Sequence, residues 1–148
     1  MDAFDFEKTV RESLAGGLKG DKETWAAHAA ACVKQVLLSQ AAASSFAADA
    51  KSAVILASLG AMKSVLLAEG DLPAAAVALL RELVEVANQK TLDPAEALRW
   101  GMGGIAQAAL MAAAGTKEAV SSKIDQEFTD MGLIFDEIVL KFAASQRR

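Results

Sequence analysis

Residues 91–115 read TLDPAEALRWGMGGIAQAALMAAAG, and this stretch decides the fold class. Its first third is a helix start. Asp93 is placed to cap, Pro94 to fill the first helical position, where its missing N–H costs nothing, and Glu96 to reach back from the third. The rest is mostly glycine and alanine, with no charge from Trp100 to Thr116. Such a run can be a membrane span, a phosphate loop or a surface for close helix packing. A span needs roughly 17–25 apolar residues. Here Gln107 interrupts the run, and Gly and Ala give little drive for insertion. Gly101-Met102-Gly103-Gly104-Ile105-Ala106 matches G-x-G-x-x-A. That fingerprint binds a dinucleotide only after a strand and at the opening of a helix, and here a capped helix start lies upstream instead.

Close packing fits best. Gly101 and Ile105 are one turn apart, and Gly104, Ala108 and Ala112 continue at the same spacing. The stripe has almost no side chain, so a second backbone can approach it. The expected partner is the segment of Ser58, Met62 and Leu66, or the apolar seam of the last helix. A glycine in mid-helix costs about 1 kcal/mol against alanine. Packing or a ligand groove must offset that cost.

Composition extends the helical reading to the whole chain. The 148 residues include 33 alanines, two prolines and no tyrosine. Alanine is the best helix former and carries little apolar area, so thin, closely packed helices are expected. A chain of this length fits one domain with its own core. We therefore expect an all-α, single-domain bundle of five or six helices, with residues 1–20 as an N-terminal helix and Gly-rich turn and 145–148 as a flexible tail.

The remaining helices follow from local signals. Asp2 as cap and Phe6, Val10 and Leu14 at one-turn spacing predict a helix over about 4–15, loosened by Gly16, Gly17 and Gly20. Trp25, Ala29, Cys32, Val36 and Ala43 keep one face of a second helix over about 22–43, opened by Gly20 or Asp21. A third covers about 47–69, with a turn or kink expected at Ser44-Ser45; the alternative is one continuous helix from 22 to about 69, since no proline or glycine interrupts before Gly60. Gly70 as C′, Asp71 as N-cap and Pro73 in the first turn separate it from a largely buried helix over about 73–89. The quoted helix covers about 94–114. Gly115 ends it, and Thr116 is the expected cap of a last helix over about 117–144. There Ile124, Phe128, Met131, Phe135, Ile138 and Phe142 form a heptad seam. Met102, Met111 and Met131 read as core filler. The segments 12–21, 57–71 and 101–115 echo one another as small-residue stretches with internal glycine, as a shared packing rule would produce.

Several functions lose support at this level. Net charge is −4, and no basic stripe with interleaved aromatics is present, so nucleic acid is not an expected partner. The acidic, mixed N-terminal segment does not read as a signal peptide. The single Cys32 fits a reducing compartment, so the cytoplasm is the expected location. His28 and Cys32 share one helix face, but no second His or Cys completes a metal site, and the reading is a partly buried His beside a core Cys. No Glu-x-x-His pair supports a di-iron centre. Glu82 and Glu85 read as solvation of a helix flank. No catalytic constellation, cofactor or membrane span is expected.

The capped segments, the Ala-rich helices interrupted by glycine and the Phe-rich last helix resemble, in style rather than by a signature motif, the phasins. These are bacterial helical proteins that coat polyester storage granules. The same features are shared with small bacterial families of Ala/Gly-rich helical proteins. The resemblance implies a helical fold and an apolar surface as target, and carries over no residue role. The glycines and proline-capped short helices depart from the phasins and suit a folded bundle.

The first expectation is thus a non-enzymatic bundle acting by assembly, most simply as a homodimer. It would use the face of Phe128, Phe135 and Phe142 or the stripe of Gly104 and Ala108. The second is a lipid- or granule-surface protein. The third is a small apolar ligand held between helices, with Gly101, Gly104 and Ala108 leaving room beside Trp100 and Met102.

Overall fold

The computed structural model describes residues 5–15, 24–40, 50–90 and 92–146. Among them are seven helices and no strand: α1 Phe6–Ala15, α2 Trp25–Gln40, α3 Ala50–Leu67, α4 Leu72–Gln89, α5 Pro94–Met111, α6 Thr116–Glu127 and α7 Met131–Gln146. The protein is an all-α bundle, with one or two more helices than expected. The expectations at Asp2, Gly16 to Asp21 and Ser44-Ser45 lie outside the described residues.

Local chemistry explains the starts. Asp5 caps α1, accepting from the Lys8 N–H at 3.0 Å. Asp71 caps α4 through the Ala74 N–H and Asp93 caps α5 through the Ala95 N–H, each followed by its proline. At the end of α3 the expectation needs correcting. Glu69, not Gly70, takes the left-handed conformation, at φ 59. The Glu69 N–H donates to Leu66 O and the Gly70 N–H to Val65 O, closing the helix with the paired bonds of a Schellman turn. Gly70 is small for another reason: a Cβ there would meet Trp25 Cε3 and Val65 Cγ1 at 3.0 Å each. Thr116 is also not a cap. Gly115, at φ 91, holds the N-cap position of α6.

The last predicted helix is two. Phe128 leaves helical geometry, and Asp130 turns the chain at φ 69. Gly132 then brings the first turn of α7 onto α6. Its N–H donates to Asp125 Oδ1, and its carbonyl accepts from Ser121 Oγ, each at 3.3 Å. A Cβ on Gly132 would lie 2.8 Å from the Asp125 Cβ, so only glycine fits this corner. α7 continues to Gln146, past the expected end and into the predicted tail.

The order of packing sets up everything that follows. α3 touches α1, α2, α4 and α5, and α5 touches α3, α4, α6 and α7. These two helices cross with their backbones nearly in contact. A Cβ on Gly104 would lie 2.6 Å from Ile55 O and 2.8 Å from Leu59 N. Gly60 serves the α1 side in the same way, 2.6 Å from Glu7 O. On the α4 side a Cβ on Gly101 would strike the Leu83 side chain. The stripe read from the sequence is therefore a packing surface inside the chain, with Ser58 as a neighbour. α3, of 18 residues and mean hydropathy 1.5, is the one described helix long and apolar enough to cross a membrane, and half of it is buried in this core. Phe135 and Ile124 are fully buried, whereas Met111 is exposed rather than core filler.

Candidate functional site

α3 and α7 both lie on α5, and their backbones do not approach each other closely. The valley between them, with α5 as its floor, is a groove of about 570 Å³. Its apolar lining is Ile55 from α3, Trp100 and Gly103 from α5, and Ile134, Ile138 and Phe142 from α7. The rim carries Lys51, Arg99 and Lys141, with Glu96 and Glu137. The lining follows from helix periodicity: Trp100 and Gly103 recur on one face of α5, and Ile134, Ile138 and Phe142 on one face of α7.

Gly103 differs from its two glycine neighbours. A Cβ on it would rest 3.6 Å from Phe142 Cε2 and 3.8 Å from Ile55 Cγ1, which is ordinary van der Waals contact. Packing does not require glycine here, yet glycine still forfeits about 1 kcal/mol of helix propensity. Gly103 is itself buried at the base of the groove, beneath Phe142 and Ile55.

Several cations away from the rim are paired, although Lys90 and Lys117 are not. Lys34 bridges Glu82 at 3.6 Å and also Glu85, Lys63 reaches Glu7 at 3.3 Å, and Arg81 reaches Glu127 at 2.5 Å. Glu82 and Glu85 thus tie α4 to α2 instead of only solvating a flank. The hydrogen bond from Lys34 to Glu85, helped by the charges of Glu85 and Glu82, holds its ammonium pKa above the ordinary lysine value. Lys51, Arg99 and Lys141 have no ion pair within 4.0 Å among the described residues.

Of the candidates read from the sequence, Trp100 and Phe142 line the groove. Gly101, Gly104, Ala108 and Phe135 are buried within the chain and offer no surface. Phe128 is half-buried against the core, at the break between α6 and α7. Sequence reasoning missed the rim and Gly103. The latter was grouped with its neighbours, and only the contacts of a notional Cβ separate them.

The other polar groups are differently employed. His28 is exposed rather than partly buried, and Cys32 is half-buried at the edge of the core rather than within it. Burial raises the Cys32 thiol pKa, against a smaller lowering by a hydrogen bond with Ser13. Among the described residues no three His, Cys, Asp or Glu gather as a metal site. A second, shallower depression between α6 and α7 is lined by Glu118, Asp125, Asp130 and Asp136. There Asp125 is already engaged as acceptor from the Gly132 N–H. Ser58 Oγ is buried at the α3–α5 crossing without a hydrogen-bond partner.

No protein-family model matches this chain, and no curated protein or solved structure matches it at a significant level.

Proposed function

We propose that this chain is a non-enzymatic binding protein that holds one small apolar ligand in the groove between α3, α5 and α7. One observation carries the reading: a groove lined by Ile55, Trp100, Ile134, Ile138 and Phe142 lies between three helices of the bundle. The groove volume of about 570 Å³ lies within the roughly 300–1,000 Å³ of small-ligand sites. Trp100 in the lining supplies a built-in reporter. The test is titration of a Trp25→Phe protein with apolar ligands while following Trp100 emission. Saturable quenching that disappears in Gly103→Leu is expected. Linear, non-saturating quenching in both proteins would reject the groove.

Assembly is the second reading, and a specific observation favours it. Leu133 and Leu140, 69% and 70% exposed, lie two turns apart on α7, which among the described helices packs only on α5 and α6. An edge helix with apolar residues on its outer side as well as its inner side is suited to pairing with a second copy. Sedimentation of the wild type against Leu133→Glu/Leu140→Glu tests it. The granule-surface reading has less in its favour, because α3, the most membrane-compatible helix, would first have to leave the core.

A further inference from the structure

Resting on the groove reading, we infer that the ligand is a single-tailed amphiphile with an anionic head, of the type of a medium-chain carboxylate. The lining and the rim divide the groove into two chemical parts. Ile55, Trp100, Ile134, Ile138 and Phe142, with no polar group on Gly103, suit an alkyl tail. Lys51, Arg99 and Lys141 stand above them, one from each of the three helices. Long side chains of this kind lay their methylenes along apolar surface and keep the charged end free to move toward a partner. Glu96 and Glu137 share the rim, which leaves it with one net positive charge on a chain of net charge −4.

The rim charges of both signs are without ion pairs among the described residues, and the cations outnumber the carboxylates three to two. Lys34, Lys63 and Arg81 each meet a carboxylate from another helix. The three groove cations meet none within 4.0 Å among the described residues, although Glu96 precedes Arg99 by three residues and Glu137 precedes Lys141 by four. Those are spacings at which helical ion pairs form. A carboxylate head entering between the helices would take the place of an internal partner, and Arg99 is able to grip it with two parallel N–H groups.

The experiment compares three probes of equal tail length below their micelle-forming concentrations: decanoate, decanol and decylamine. Binding is read by calorimetry on the full chain and by Trp100 emission in the Trp25→Phe protein. Decanoate is expected to bind one per chain and about tenfold tighter than decanol, the scale of one charge-assisted contact. Added salt should narrow the gap. Arg99→Gln/Lys141→Gln changes only exposed side chains and should bring decanoate down to the level of decanol. Gly103→Leu should remove both. Equal binding of decanol and decanoate, or tighter binding of decylamine, with loss in Gly103→Leu, would overturn the anionic head and leave the groove reading standing. Binding of none of the three would overturn both.

Discussion

Adjacent glycines on α5 should respond to alanine with opposite signs. At Gly104 the new Cβ lies 2.6 Å from Ile55 O and 2.8 Å from Leu59 N, and both atoms belong to the α3 backbone. Neither can rotate aside, so the two helices must part. The cost belongs at the upper end of the range for overpacking, about 3 kcal/mol, and alanine returns about 1 kcal/mol of helix propensity. The net expectation is a loss of about 2 kcal/mol for Gly104→Ala. At Gly103 the nearest atoms are side-chain carbons at 3.6 and 3.8 Å, so the propensity gain of about 1 kcal/mol is kept. For a chain of this size 1 kcal/mol moves Tm by roughly 2–4 °C, which separates the variants by roughly 6–12 °C. Thermal and urea unfolding followed by far-UV circular dichroism reads the difference, and unchanged urea m-values would show that the same transition is being compared. The reasoning fails if both variants shift in the same direction, or if Gly104→Ala lies within about 0.5 kcal/mol of wild type, the scatter expected of an ordinary surface change.

Ser58→Ala removes a buried hydroxyl that has no partner and should leave the chain as stable or raise it by about 1 kcal/mol; a loss of that size in urea unfolding would refute the assignment. Asp130→Gly relieves a left-handed residue at φ 69 and should raise stability by about 1 kcal/mol, which a lowered urea midpoint would contradict. The Lys34 ammonium is held above its ordinary pKa, so its contribution is fully present below the unfolded value of about 10.4 and is lost as pH rises through the folded one. Lys34→Met should remove that alkaline loss, and superimposable stability curves for the two proteins would count against the cluster with Glu82 and Glu85. The Cys32 thiol, its pKa raised by burial, should react with a disulfide reagent at pH 8 more slowly than free cysteine does; an equal or faster rate would overturn this.

What the sequence makes legible is local. The starts of α4 and α5 are written in Asp71 to Pro73 and Asp93 to Pro94, because capping is a matter between neighbouring residues. The packing role of Gly104 is also readable, since small residues at one-turn spacing have few other uses. The break between α6 and α7 is not. Phe128, Met131 and Phe135 keep helical spacing straight through the turn, and the hydrophobic period hides what Asp130 and Gly132 do. Glu69 was missed because a left-handed position beside a glycine points to the glycine. The groove is the least legible feature. It exists because α3 and α7 sit on α5 with their backbones apart, and no pattern within any one helix states how two distant segments are spaced. Trp100 and Phe142 were singled out as large side chains in conspicuous segments, whereas the rim of Lys51, Arg99 and Lys141 comes together only in three dimensions.

The contrast between Gly103 and Gly104 also has a historical side. Mutation supplies alanine readily at a glycine codon, and at position 104 the fold alone would purge it. At position 103 the fold would welcome it. In a lineage where the bundle served only as a scaffold, residue 103 should therefore drift to alanine while residues 60, 101 and 104 remain fixed. Where glycine persists at 103 across diverged copies, something other than folding has been selecting against a side chain there.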